Sequence, residues 1–164
     1  MSSLLRRGVT LLLFIASVTL PVAAGSPYPA IVRADRSDPL FVQHQSSIER
    51  YYRAGAQGEP LPALRIYEYT LQGERSLSAV AARFTLSVES LATLNRLPDT
   101  SIPPDRERLL IPSLPGIFVP EEPESRFELF LSHERSGDLS GLAPLTVLVG
   151  GRPARFRFIP DERL

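Results

Sequence analysis

The hydrophobic spacing of this chain changes period twice between Ile66 and Pro112, and that change restricts the fold more than any other feature. Ile66–Gln72 alternates and carries Tyr67 and Tyr69, as a half-buried strand does. Leu77, Val80, Ala81 and Phe84 then fall at offsets of three and four, which marks one face of a short helix. After a break at Thr85-Leu86-Ser87, Val88, Leu91 and Leu94 carry the apolar face of a second helix. Pro98 to Arg106 contains three prolines and reads as loop, and Arg108 to Ile111 is a short apolar strand closed by Pro112. Ser76 and Ser87 are placed to cap the two helices through their hydroxyls, Glu89 suits the first turn of the second, and Asn95 suits a left-handed residue after its end. The expectation is an α+β fold. It is a small βααβ unit, a two-stranded antiparallel sheet with both helices on one face.

A unit of this size has little core. Burying Leu77, Val80, Phe84, Leu91, Leu94, Leu109 and Ile111 contributes about 1.5–3 kcal/mol each, and conformational entropy offsets most of it. The sequence has no cysteine, so no disulfide helps. Packing against flanking segments is therefore expected. Before the unit, residues 25–65 read as a lead-in: an irregular stretch to Pro39, a short helix over Ser47–Ala54 and a Gly/Pro-rich linker over Gly55–Pro62. After it, residues 114–164 read as a short helix around Phe127, Leu129, Phe130 and Leu131. A β-hairpin follows, in which Gly150-Gly151 turns Thr146–Val149 into Phe156–Ile159.

The first 24 residues read as a secretory signal. Arg6 and Arg7 precede an uncharged apolar run from Gly8 to Leu20, and Val22-Ala23-Ala24 gives the small residues of a cleavage site; an uncleaved anchor is the other reading. The expected location is outside the cytoplasm, in the periplasm or cell envelope, with no membrane attachment after cleavage. The formal net charge is zero, and cleavage, which removes two arginines, makes it −2. Neither value suits nucleic acid.

The pieces Tyr69-Thr70-Leu71-Gln72, Ser76-Leu77, Val80-Ala81-Ala82-Arg83-Phe84, Val88 with Leu91 and Leu94-Asn95, and Leu110-Ile111-Pro112, in this order and spacing, resemble the lysin motif (LysM). The resemblance covers under a third of the chain and places the domain at 66–113. It implies binding of peptidoglycan or a related N-acetylglucosamine polymer in a shallow groove between the loop before the first helix and the loop after the second. The residues implicated are Gly73, Glu74, Arg75, Ser76 and Leu77, with Leu97, Pro98, Asp99, Thr100, Ser101 and Ile102. Bent backbone would pair with the N-acetyl amide, and Leu77 or Ile102 would touch its methyl. Individually, Ser76 reads first as a helix cap and Leu77 as core, whereas Arg75 suits a solvated charge as well as a ligand. This chain has Gly73-Glu74-Arg75-Ser76-Leu77 where the family has Gly-Asp-Thr-Leu, and Pro103-Pro104-Asp105 where it has Pro-Gly.

The run Gly151 to Pro160 resembles the linker ahead of the catalytic domain in LysM-containing zinc endopeptidases of the lysostaphin type. Such a domain needs His-x-x-x-Asp and His-x-His. Only His44 and His133 are present, and neither has that spacing. Ser132-His133-Glu134 are chain neighbours, not a folded triad. The chain is thus read as non-catalytic, with no catalytic residue, metal or cofactor: a glycan-binding protein that could serve a cell-wall hydrolase partner. The alternatives are a truncated or split zinc endopeptidase, and an interaction protein whose Phe156–Ile159 hairpin adds to a partner's sheet.

Overall fold

The computed structural model describes residues 26–161; the expected signal, 1–24, lies outside them. The fold is α+β, with four helices and two three-stranded sheets among the described residues. Strand β1 (Ala30–Ile31) leads into helix α1 (Pro39–Gln57), then come β2 (Ile66–Thr70), α2 (Leu77–Phe84), α3 (Val88–Leu94) and β3 (Arg108–Pro112). The remaining elements are β4 (Gly116–Pro120), α4 (Arg126–Glu134), β5 (Pro144–Val149) and β6 (Arg152–Pro160).

In the first sheet β2 pairs antiparallel with β3, from Ile66 opposite Pro112 to Thr70 opposite Arg108. The sheet is three-stranded, not two-stranded, because β1 adds in parallel on the other side of β2. Alternation splits the side chains between two cores. Tyr67, Tyr69, Leu109 and Ile111 meet Leu77, Val80, Phe84 and Leu91 from the helices, while Ile66 and Leu110 join Leu94, Phe118, Val147 and Phe156. The small unit therefore packs on its C-terminal neighbour, as its size demands.

The lead-in helix is far longer than Ser47–Ala54. Asp38 caps it, with Oδ1 accepting from the N–H groups of Leu40 and Phe41. Its Oδ2 accepts from Val32 and Arg33, which ties the helix start to β1. Pro39 suits the first turn. The expected linker at Gly55 to Gln57 is still helix, and Gly58, at φ +67°, ends it.

Two expectations at helix ends change. Ser76 stands at the N-cap of α2, but its hydroxyl makes no capping bond; Ser87 does cap α3. Asn95 is not left-handed, at φ −90°, and Arg96 takes that conformation instead, at φ +56°. Asn95 is fully buried: its Nδ2 donates to the carbonyls of Leu91 and Leu110, and its Oδ1 accepts from Leu110 N–H. It binds α3 to β3.

The C-terminal segment is a sheet in the order β4–β6–β5, not a lone hairpin. The Gly150-Gly151 turn joins β5 to β6, with Val149 opposite Arg152. Strand β6 is central, and Phe156 pairs with Pro120 on one side and Leu145 on the other. The Phe156–Ile159 edge, expected to be open to a partner's sheet, is therefore occupied by β4. On its far side β4 lies against α3, where Ser90 Oγ and Thr93 Oγ1 accept from the N–H groups of Gly116 and Phe118. Arg96 closes the junction: its guanidinium grips the nearly buried Glu128 of α4 with two bonds, at 2.7 and 2.8 Å, and reaches Glu124 at 3.0 Å. Burial opposes charge on Glu128, but Arg96 and the Glu124 and Ser125 N–H groups more than offset it and hold the carboxyl below its usual range.

Candidate functional glycan groove

Gly73, at φ +98°, turns the chain out of β2 into the loop before α2. Glu74 fixes that turn. Its carboxylate accepts from Tyr69 Oη at 2.8 Å and from Gln72 N–H, and it pairs with Arg83 of α2. Burial raises the Glu74 pKa, but the Tyr69 hydroxyl, backbone N–H groups and Arg83 outweigh it and the net shift is downward. The Tyr69 hydroxyl is pushed up to about 12, first by burial and then by the Glu74 carboxylate. Glu74 is thus held as an anion by its own neighbours, and its lone pairs are largely spent.

The two loops lie side by side. Leu77 N–H donates to the Thr100 carbonyl at 2.9 Å and Ile102 N–H to the Arg75 carbonyl at 3.1 Å, which sets Ser76 opposite Ser101 in an antiparallel bridge. Asp99 Oδ1 accepts from Ser101 N–H and shapes the second loop. The eleven-residue set nominated from sequence therefore divides. Leu77, Leu97 and Ile102 are core, at most 3% exposed, so they position the loops and their methyls face inward. Much of the bent backbone is already paired across the bridge. Ser76, Pro98, Asp99, Thr100, Ser101, Gly73 and Arg75 lie at the surface, with Glu74 closer in. The hydroxyls of Ser76, Thr100 and Ser101 make no bond among the described residues, so each can both donate and accept.

A shallow cleft of about 320 Å³ lies beside this bridge, walled by Gly73, Arg75 and Pro104 together with Arg106 and Glu107. Arg75 Nη1 donates to the Pro104 carbonyl at 3.3 Å and so spans one end. Sequence reasoning misses Arg106 and Glu107. The charged run Asp105-Arg106-Glu107-Arg108 is visible after Pro103-Pro104, but it matches no motif position, and only the ladder bond from Leu71 N–H to the Glu107 carbonyl brings it to the loop before α2.

The two histidines stand apart from this cleft. His44 is buried between the rings of Tyr67 and Phe84 and donates from Nε2 to the Pro112 carbonyl, which leaves Nδ1 as the unprotonated nitrogen. Burial lowers its pKa to about 4, against a smaller opposing effect of the Pro112 carbonyl. His133 is exposed on α4. Against protein-family models, curated proteins and solved structures, the chain finds no match.

Proposed function

We propose that this is an exported, non-catalytic binding protein for peptidoglycan or a related N-acetylglucosamine polymer, built on a LysM-type βααβ unit over 66–113. The observation that carries the reading is the pairing of the loops that flank the α2–α3 pair. In the element order β2–α2–α3–β3, the loops bonded at Leu77–Thr100 and Ile102–Arg75 set the uncommitted hydroxyls of Ser76 and Ser101 opposite one another, with Thr100 next in the chain and Arg75 leading to the neighbouring cleft. Hydroxyls and shallow relief suit a neutral sugar chain, whose own hydroxyls and acetamides donate and accept. A single site of this kind binds weakly, and the repeating polymer or a linked hydrolase would supply retention.

Cosedimentation of the protein with purified peptidoglycan tests this. Pelleting is expected at low salt, with Arg75→Ala and Thr100→Ala each weakening it about three- to tenfold, the loss of one hydrogen bond. Neither side chain is part of the core, so the fold is retained. Recovery no better than a scrambled-sequence control would end the proposal.

A further inference from the structure

We infer that the glycan site does not stop at the two loops but continues over Asp105–Glu107 into the cleft between the two sheets, so that its ligand is an extended sugar chain. This rests on the glycan-binding reading of the loops. The larger cleft, about 560 Å³, lies on the side of the first sheet that carries Glu68 and Leu110, and reaches from Arg108 to Leu148 and the Gly150-Gly151 turn. Arg106 and Glu107 line this cleft and the smaller one beside Arg75. The two depressions therefore share a wall at the end of the β2–β3 ladder.

The side chains of that wall are chemically free. Asp105, Arg106 and Glu107 make no side-chain hydrogen bond or ion pair among the described residues. Of the charges around them, Glu74 is committed to Tyr69 and Arg83 and Arg108 to Glu68 at 2.9 Å, while Arg75 spends one donor on the Pro104 carbonyl. Unspent hydrogen-bonding capacity is thus concentrated where the clefts meet. Two carboxylates accept from hydroxyl and amide N–H groups, and the guanidinium of Arg106, which lies between them in the chain, donates to hydroxyl and acetyl oxygens. That acceptor–donor–acceptor set suits a chain whose every unit repeats both groups, and its two carboxylates disfavour a polyanion. Half-exposed Leu148, on the far side, offers an apolar surface to a sugar face.

Calorimetric titration of the full chain with N-acetylglucosamine oligomers, from trimer to octamer, tests the extension. The octamer is expected to bind about tenfold more tightly than the trimer. In Arg106→Ala and in Leu148→Asp the octamer should fall to the affinity of the trimer, while thermal unfolding shows each variant folded. In the amide spectrum, Gly150 and Gly151 should shift with the octamer and stay still with the trimer. A length-dependent gain that survives both variants reflects only the extra registers of a longer chain and overturns the extension, leaving the loop site standing. Absence of binding by every oligomer would instead remove the glycan reading, and the extension with it.

Discussion

In the half built on β1–β2–β3, the main polar ties are internal: Glu74 serves Tyr69 and Arg83, and Asn95 ties α3 to β3 with three hydrogen bonds, while His44 Nδ1 and Tyr67 Oη stay buried without a partner among the described residues. In the half built on β4–β6–β5, the corresponding groups lean on the first half. The N–H groups of Gly116 and Phe118 are taken up by Ser90 and Thr93 of α3, and Glu128 is held by Arg96. The difference teaches that short sheets acquire stability by different routes. The first encloses the larger core between sheet and helices, whereas the second has a smaller one around Ile117, Val119, Leu131 and Ile159 and draws polar partners from the first, so its integrity depends on the first half more than the reverse.

This asymmetry can be broken at three places. The largest effect belongs to Asn95→Ala. It strands buried backbone groups on α3 and β3, costs about 3–5 kcal/mol, and should lower the urea midpoint of both halves together. Loss of only the C-terminal half would contradict this dependence of the second half on the first.

Acid should act next, on the first half. The folded chain holds His44 neutral, with a pKa of about 4 against an ordinary 6.5, so on acidification the unfolded chain takes the proton first. Its contribution is complete above pH 6.5 and is lost as pH falls from there to about 4, at most about 3 kcal/mol. The rings that face it, Tyr67 and Phe84, carry no charge to stabilise a cation. Urea unfolding across that window should show the slope, and His44→Gln, which can still donate to the Pro112 carbonyl, should flatten it. An unchanged slope in the variant would assign the effect to other groups.

The smallest effect, about 2–3 kcal/mol, is expected from Arg96→Ala, which leaves Glu128 without its partner. Hydrogen exchange is the sharper readout for this variant. Protection should fall in β4 and α4 and persist in β2 and β3; uniform loss would erase the distinction between the halves.

What can be read in the chain itself follows from pattern strength. Strand β2, helices α2 and α3 and strand β3 are legible because their apolar positions keep one period and turn residues bound them. Helix α1 reads too short because polar residues, His44 and Ser47, occupy core-facing positions between Phe41, Ile48 and Tyr51, which hides the start signal at Asp38-Pro39. Strand β4 escapes the sequence reading for the opposite reason. Gly116–Pro120 is buried at every residue, so it shows no alternation, and its bounding prolines read as breakers. Of the nominated site, the loops are legible, but the division between core Leu77, Leu97 and Ile102 and exposed Ser76, Thr100 and Ser101 is not. Loop side chains carry no periodicity from which to assign a face.

The sequence by itself determined the order of elements from Ile66 to Pro112, the α+β class and the absence of disulfides, since each depends on local spacing or on residue type alone. Only the tertiary structure decided that β1 joins the first sheet, that β6 is a central strand and that Asn95 and Arg96 are fasteners. It alone set Arg106 and Glu107 against the loop before α2. Those outcomes depend on which distant backbone groups need partners, and a hydrogen bond between residues far apart leaves no period in the chain.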